Sequence, residues 1–109
     1  MRLVIMESPY AGNIRVNLAY ARACVRDCLM RGESPLASHL LLTQAGILDD
    51  EKPKERELGI KAGLAWTKAA DATVVYTDLG VTPGMRLGIK AMVEAGKPVE
   101  YRSIGSEVY

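Results

Sequence analysis

Several polar residues in this sequence stand directly behind short apolar runs, and their types are those of a reaction site or a ligand pocket. Glu7-Ser8-Pro9-Tyr10 follows the run 2–6, and Ser38 with the only histidine, His39, follows 33–37. Thr77-Asp78-Leu79-Gly80 follows 72–76, Thr82 and Gly84 open the next segment, and Tyr101 and Arg102 lie at the end of the chain's last apolar run. A hydroxyl, an imidazole, a carboxylate and a guanidinium on one edge can move protons and hold a polar small molecule. Tyr10 offers a stacking platform for a flat ring. Gly84 at a helix start lets a phosphate or a ribose oxygen approach the backbone amides. Each residue also has a plainer reading: Ser8-Pro9 as a strand stop, Asp78 and Gly80 as a turn, His39 as a structural cap.

The elements that would carry these residues follow from periodicity. Residues 2–6 and 72–76 are continuous β-forming runs and predict buried strands; 33–37 and 99–101 predict shorter ones. Asn13 suits a helix N-cap, and Ile14, Leu18, Ala21, Val25 and Cys28 recur with helical spacing up to Gly32. Arg15, Arg22 and Arg26 share another face of that helix, as a solvated surface does. Residues 40–48 read as a short apolar helix or loop. Asp49-Asp50-Glu51 with Pro53 marks the start of a helix over 54–70. In that helix Gly59 and Gly63 would admit a second backbone, while Ile60 and Leu64 carry apolar bulk to be covered by 40–48 or by another subunit. Thr82-Pro83-Gly84 opens a third helix to about Ala95, stopped by Gly96-Lys97-Pro98. The tail from Arg102 to Tyr109 has no periodicity. Strand and helix alternate throughout, which predicts an α/β domain: a small doubly wound, flavodoxin- or Rossmann-like parallel sheet of about four strands with helices on both faces. Ligands of such sheets bind outside the carboxyl ends of the strands, where these polar groups fall.

Composition narrows the function classes. The chain is one domain, 1–109, of 11.9 kDa with 49% hydrophobic residues and a net charge of +1. Near-neutrality argues against a polynucleotide partner, and no apolar run approaches the ~20 residues that span a bilayer. Phenylalanine is absent, so the core is built from aliphatic residues, Ala and Met, with Trp66 and the tyrosines. Cys24 and Cys28 are four apart on a helix, where bridging geometry is poor, and no further Cys or His completes a zinc spacing. A metal-free protein without cofactor, in the cytoplasm, is the expectation.

Ser8-Pro9-Tyr10-Ala11-Gly12 after the first strand, Asn17 and Tyr20 on the first helix, the stretch Ala70 to Gly80, Gly84-Met85 and Gly96-Lys97-Pro98-Val99 resemble the nucleoside 2-deoxyribosyltransferase-like superfamily. Pro35-Leu36-Ala37-Ser38-His39-Leu40-Leu41 is similar to its small phage and prophage members. The resemblance implies a homo-oligomer with its pocket near a subunit interface and a nucleoside or nucleotide as ligand. It also implies cleavage of an N-glycosidic bond by a helix-borne glutamate. That glutamate's position falls on Gly88, and the neighbouring Arg86, Leu87 and Ile89 supply no carboxylate; Glu94 is about two turns further on. Two expectations remain. In one, Asp78 attacks or orients water, His39 protonates the leaving base, and Ser8, Tyr10 and Arg102 hold the ligand, with Pro9, Gly12, Asn17, Ser38, Gly80, Gly84 and Met85 around it. In the other, the chain binds and sequesters a nucleotide-derived molecule without catalysis.

Overall fold

Four parallel strands, β1 (Arg2–Glu7), β2 (Glu33–Leu36), β3 (Ala72–Tyr76) and β4 (Val99–Arg102), lie in the order β2-β1-β3-β4 in a computed structural model that describes residues 1–105. Residues 106–109 of the tail lie outside the described part. The helices are α1 (Ile14–Met30), a single turn α2 (Ser38–Leu41), α3 (Pro53–Ala65) and α4 (Pro83–Glu94). A 3-10 turn at Trp66–Lys68 follows α3, so the helix expected over 54–70 ends earlier than its apolar pattern.

Alternation along the central strands sorts the layers. Val4, Met6, Ala72, Val74 and Tyr76 face α1 and pack on Tyr20, Ala21, Cys24 and Cys28. Ile5 points to the opposite face and packs with Ala70, Met92 and Val99. The buried stripe of α1 is therefore rotated from the expected one: Asn17, Tyr20 and Cys24 are buried, while Ile14 is 38% exposed. Polar anchoring causes the rotation, because Asn17 and Tyr20 both have bonding partners inward (below). Arg15, Arg22 and Arg26 are exposed as expected.

Asn13 caps α1 by accepting from the Val16 amide at 3.3 Å, and Thr82 caps α4 by accepting from the Met85 amide at 3.3 Å. Asp71 fastens β3 to β1: its carboxylate accepts from the Leu3 amide, and its own amide donates to the Leu3 carbonyl, both at 2.8 Å. Lys97 spends its ammonium on the carbonyls of Thr67, Lys68 and Ala70, each at 2.8 Å, which ties the start of β4 to the turn preceding β3. Among the described residues, no helix is long and apolar enough to cross a membrane.

Strand order sets the position of the site. The chain leaves β1 toward α1 on one face and leaves β3 toward α4 on the other, so a crevice opens between the carboxyl ends of these adjacent strands.

Candidate active site

A cavity of about 340 Å³ fills this crevice on the α3–α4 side, within the size range of small-molecule pockets. Ile5, Glu7 and Ser8 form its floor; Thr82 to Met85, Leu87 and Gly88 form one wall; Gly59, Ile60, Gly63 and Leu64 form the other. Leu42, Thr43, Leu48 and Asp50 lie over it. The two glycines of α3 make this closure possible within one chain. A Cβ on Gly59 would meet Leu48 Cδ1 at 3.3 Å, and one on Gly63 would meet Ser38 Oγ at 2.7 Å. Gly59 thus admits Leu48 of the 40–48 segment, and Gly63 admits Ser38 at the start of α2.

Six of the residues expected to act on the ligand or to surround it line this cavity: Ser8, Tyr10, Ser38, His39, Gly84 and Met85. Ser8, buried at the end of β1, lies 2.7 Å from His39 Nε2. Burial pushes the His39 imidazole down to about 4, so it is neutral near pH 7 and carries no proton to give away beyond its single N–H. α2 is held for this contact by the Thr43 hydroxyl, which donates to the His39 carbonyl at 2.5 Å.

The others support the site from outside it. Asn17 Nδ2 donates to the carbonyls of Tyr10 at 2.9 Å and Ala11 at 3.0 Å, shaping the loop that Pro9 and Gly12 (φ 106°) turn. Gly80, at φ 87°, turns the chain after β3 and donates to the Thr77 carbonyl at 2.9 Å.

Asp78 does not line the cavity. Its carboxylate accepts from Tyr20 Oη at 2.6 Å, Ser103 Oγ at 2.5 Å, and the amides of Ile104 and Gly105 at 3.1 and 2.9 Å. Burial would raise this carboxyl, but these donors outweigh it and hold the group well below the usual carboxylate range. It anchors the segment after β4. Arg102 is likewise committed: its guanidinium forks onto Glu33 with both N–O distances 2.6 Å, and it reaches Glu100 at 3.2 Å. Both partners of that fork are under a tenth exposed, and Arg2 joins the network through Glu100 at 2.5 Å. The guanidinium expected to hold a ligand instead ties β1, β2 and β4 together.

The residue not assigned a role from sequence is Glu7. Its carboxyl faces the cavity, and among the described residues it has no hydrogen-bond or ion-pair partner. Burial pushes its pKa up to about 8. A Cβ on Gly88 of α4 would come within 2.8 Å of Glu7 Cδ and closer still to Oε2. The carboxyl group thus lies against the helix at the very position where the sequence has glycine. Its place at the end of β1, beside Ser8, was the available signal. Among the described residues, no three His, Cys, Asp or Glu side chains gather as a metal site.

A family model described as "Domain of unknown function (DUF7768)" matches residues 2–102. No curated protein matches the chain in sequence. Among solved structures, the 2-deoxyribosyltransferase of Bacillus psychrosaccharolyticus aligns with a TM-score of 0.62 at 20% identity, over 98% of this chain and 76% of that one. That likeness is one of fold.

Proposed function

The chain belongs to the DUF7768 family, and we propose that its cavity is a nucleoside or nucleotide site at which an N-glycosidic bond is cleaved. One observation carries this reading: a carboxyl with no partner among the described residues, Glu7, and the Ser8–His39 pair converge on one cavity at the carboxyl edge of a doubly wound sheet. Cleaving an N-glycosidic bond needs a proton for the departing base and a partner for the anomeric carbon, and a carboxyl is the group that commonly serves either end. Tyr10 at the rim supplies an aromatic face for a planar base. A fold like that of a deoxyribosyltransferase supports the same reading.

Binding without catalysis is favoured by a specific observation: the ionised carboxylate of Asp78 is fully engaged outside the cavity. Base release measured by chromatography on a panel of nucleosides and their monophosphates separates the two. Release from any member supports cleavage. An intact ligand recovered from the purified protein, with no release from the panel, supports sequestration.

Self-association belongs to the same proposal. Leu87 lines the cavity yet is 45% exposed, and Leu58 and Trp66 on the neighbouring surface are 55% and 51% exposed. Light scattering on the eluting protein tests it, and a strict monomer removes it.

A further inference from the structure

We propose that Gly88 and Glu7 together form an acid site, in which the bare Cα of Gly88 seats the Glu7 carboxyl so that it gives its proton to the nitrogen of the departing base. The inference rests on the reading of the cavity as an N-glycosidic site and assigns its proton donor.

The geometry is that of a seat rather than a chance contact. Glu7 ends β1, and its backbone is fixed by pairing with β3, opposite Val75. Its side chain then has one direction to run, toward α4. Any side chain at position 88 would occupy the volume now filled by the carboxyl oxygens. Packed there, the carboxyl loses water on the helix side but keeps its opening to the cavity.

The charged groups around it leave it unpaired. α4 contributes no charged side chain to the cavity lining. On the opposite wall, Arg56 pairs with Asp50 at 3.8 Å, and Glu55 is held by Lys52 at 3.6 Å and the Asp49 amide at 3.1 Å. His39, from α2, is neutral and bonded to Ser8. No cation among the described residues pairs with it, and burial lets the carboxyl keep its proton up to a pKa of about 8. His39 has the opposite shift, and of the two groups only Glu7 is a stocked acid near neutral pH.

The step balances without another reactant than water. As the bond from the anomeric carbon to the base nitrogen breaks, its electron pair leaves with the base, and the Glu7 O–H proton joins that nitrogen. Water adds to the anomeric carbon and releases a proton, which returns through cavity water to the Glu7 carboxylate. Nucleoside and water become free sugar and free base, and Glu7 ends protonated.

A leaving group that needs no proton tests the assignment. Glu7→Gln keeps the size of the side chain and removes the acid. Its rate on deoxyribonucleosides is expected to fall roughly 100-fold or more. On para-nitrophenyl deoxyriboside, whose phenolate departs unaided, it should stay within about tenfold of the parent chain. Gly88→Ala, which pushes the carboxyl off the helix, should move the alkaline limb of the rate profile on deoxyribonucleosides to lower pH. Equal loss on both substrates in Glu7→Gln overturns the acid assignment while the N-glycosidic reading stands. An unmoved alkaline limb in Gly88→Ala overturns the seating role. If the parent chain cleaves neither substrate, the reading and the inference fall together.

Discussion

The hydroxyl of Tyr20 donates to the Asp78 carboxylate at 2.6 Å and accepts from the Asp78 amide at 2.9 Å, so one side chain of α1 grips both ends of one residue after β3. This reciprocal clamp gives the Tyr20 hydroxyl its partners inside an α1 interface that also buries Asn17, Ala21, Cys24 and Cys28. It also holds Asp78, the obvious carboxylate of the sequence, away from the cavity.

Tyr20→Phe removes the clamp while keeping the ring. It leaves the Asp78 amide and carboxylate short of a partner, and an unmet buried polar group costs about 1–3 kcal/mol. Urea denaturation should show a loss of that size. Ligand affinity, which depends on the far side of the sheet, should stay within about threefold, below the ~1.4 kcal/mol of a tenfold change. A large affinity loss at unchanged stability would return Asp78 to the binding site.

Glu7 makes stability depend on pH with a definite sign. Its carboxyl is raised from 4.5 to about 8, so across that window the folded chain keeps a proton that the unfolded chain has released. Stability from this group is therefore full below the lower value and declines as pH rises toward the upper one. Glu7→Gln abolishes the decline. At about pH 9 the variant should be the more stable chain, by on the order of 5 kcal/mol, and at about pH 4 the gap should close. Parallel urea midpoints at both pH values would show that Glu7 ionises as an ordinary glutamate.

His39 is the only histidine, so its ring protons in a proton NMR spectrum need no assignment by mutation. Burial lowers it from 6.5 to about 4, and the folded chain then binds fewer protons than the unfolded one between these values. The shifts should stay flat through the usual histidine range and move only near the lower value. Stability should fall as pH drops through the same window. A midpoint near the ordinary value would mean that His39 is solvated and free to act as a proton donor.

Arg102→Ala leaves Glu33, itself 6% exposed, without its bidentate partner. Breaking a buried pair from one side costs about 3–5 kcal/mol. The melting temperature should drop sharply, and binding of any ligand to the remaining folded protein should be unchanged. Weakened binding with intact stability would place Arg102 in the site after all.

What could be read from the chain directly was whatever neighbours along it decide. Strand runs bounded by Ser8-Pro9 and Gly96-Lys97-Pro98, caps at Asn13 and Thr82, and alternation of strand with helix are local, and they imply a parallel doubly wound sheet. The same alternation brings Ser8 and His39 to one edge, because every parallel strand ends on the same side. Which polar groups remain free there is a different kind of question. Asp78 is occupied by Tyr20, 58 residues earlier, and Arg102 by Glu33, 69 residues earlier. Glu7 is left over because α4 presents glycine to it from position 88. These are distances across the fold, invisible to spacing along the chain. Residue types therefore announced a polar edge, and packing decided that Glu7, rather than Asp78, is the carboxyl left without a partner there.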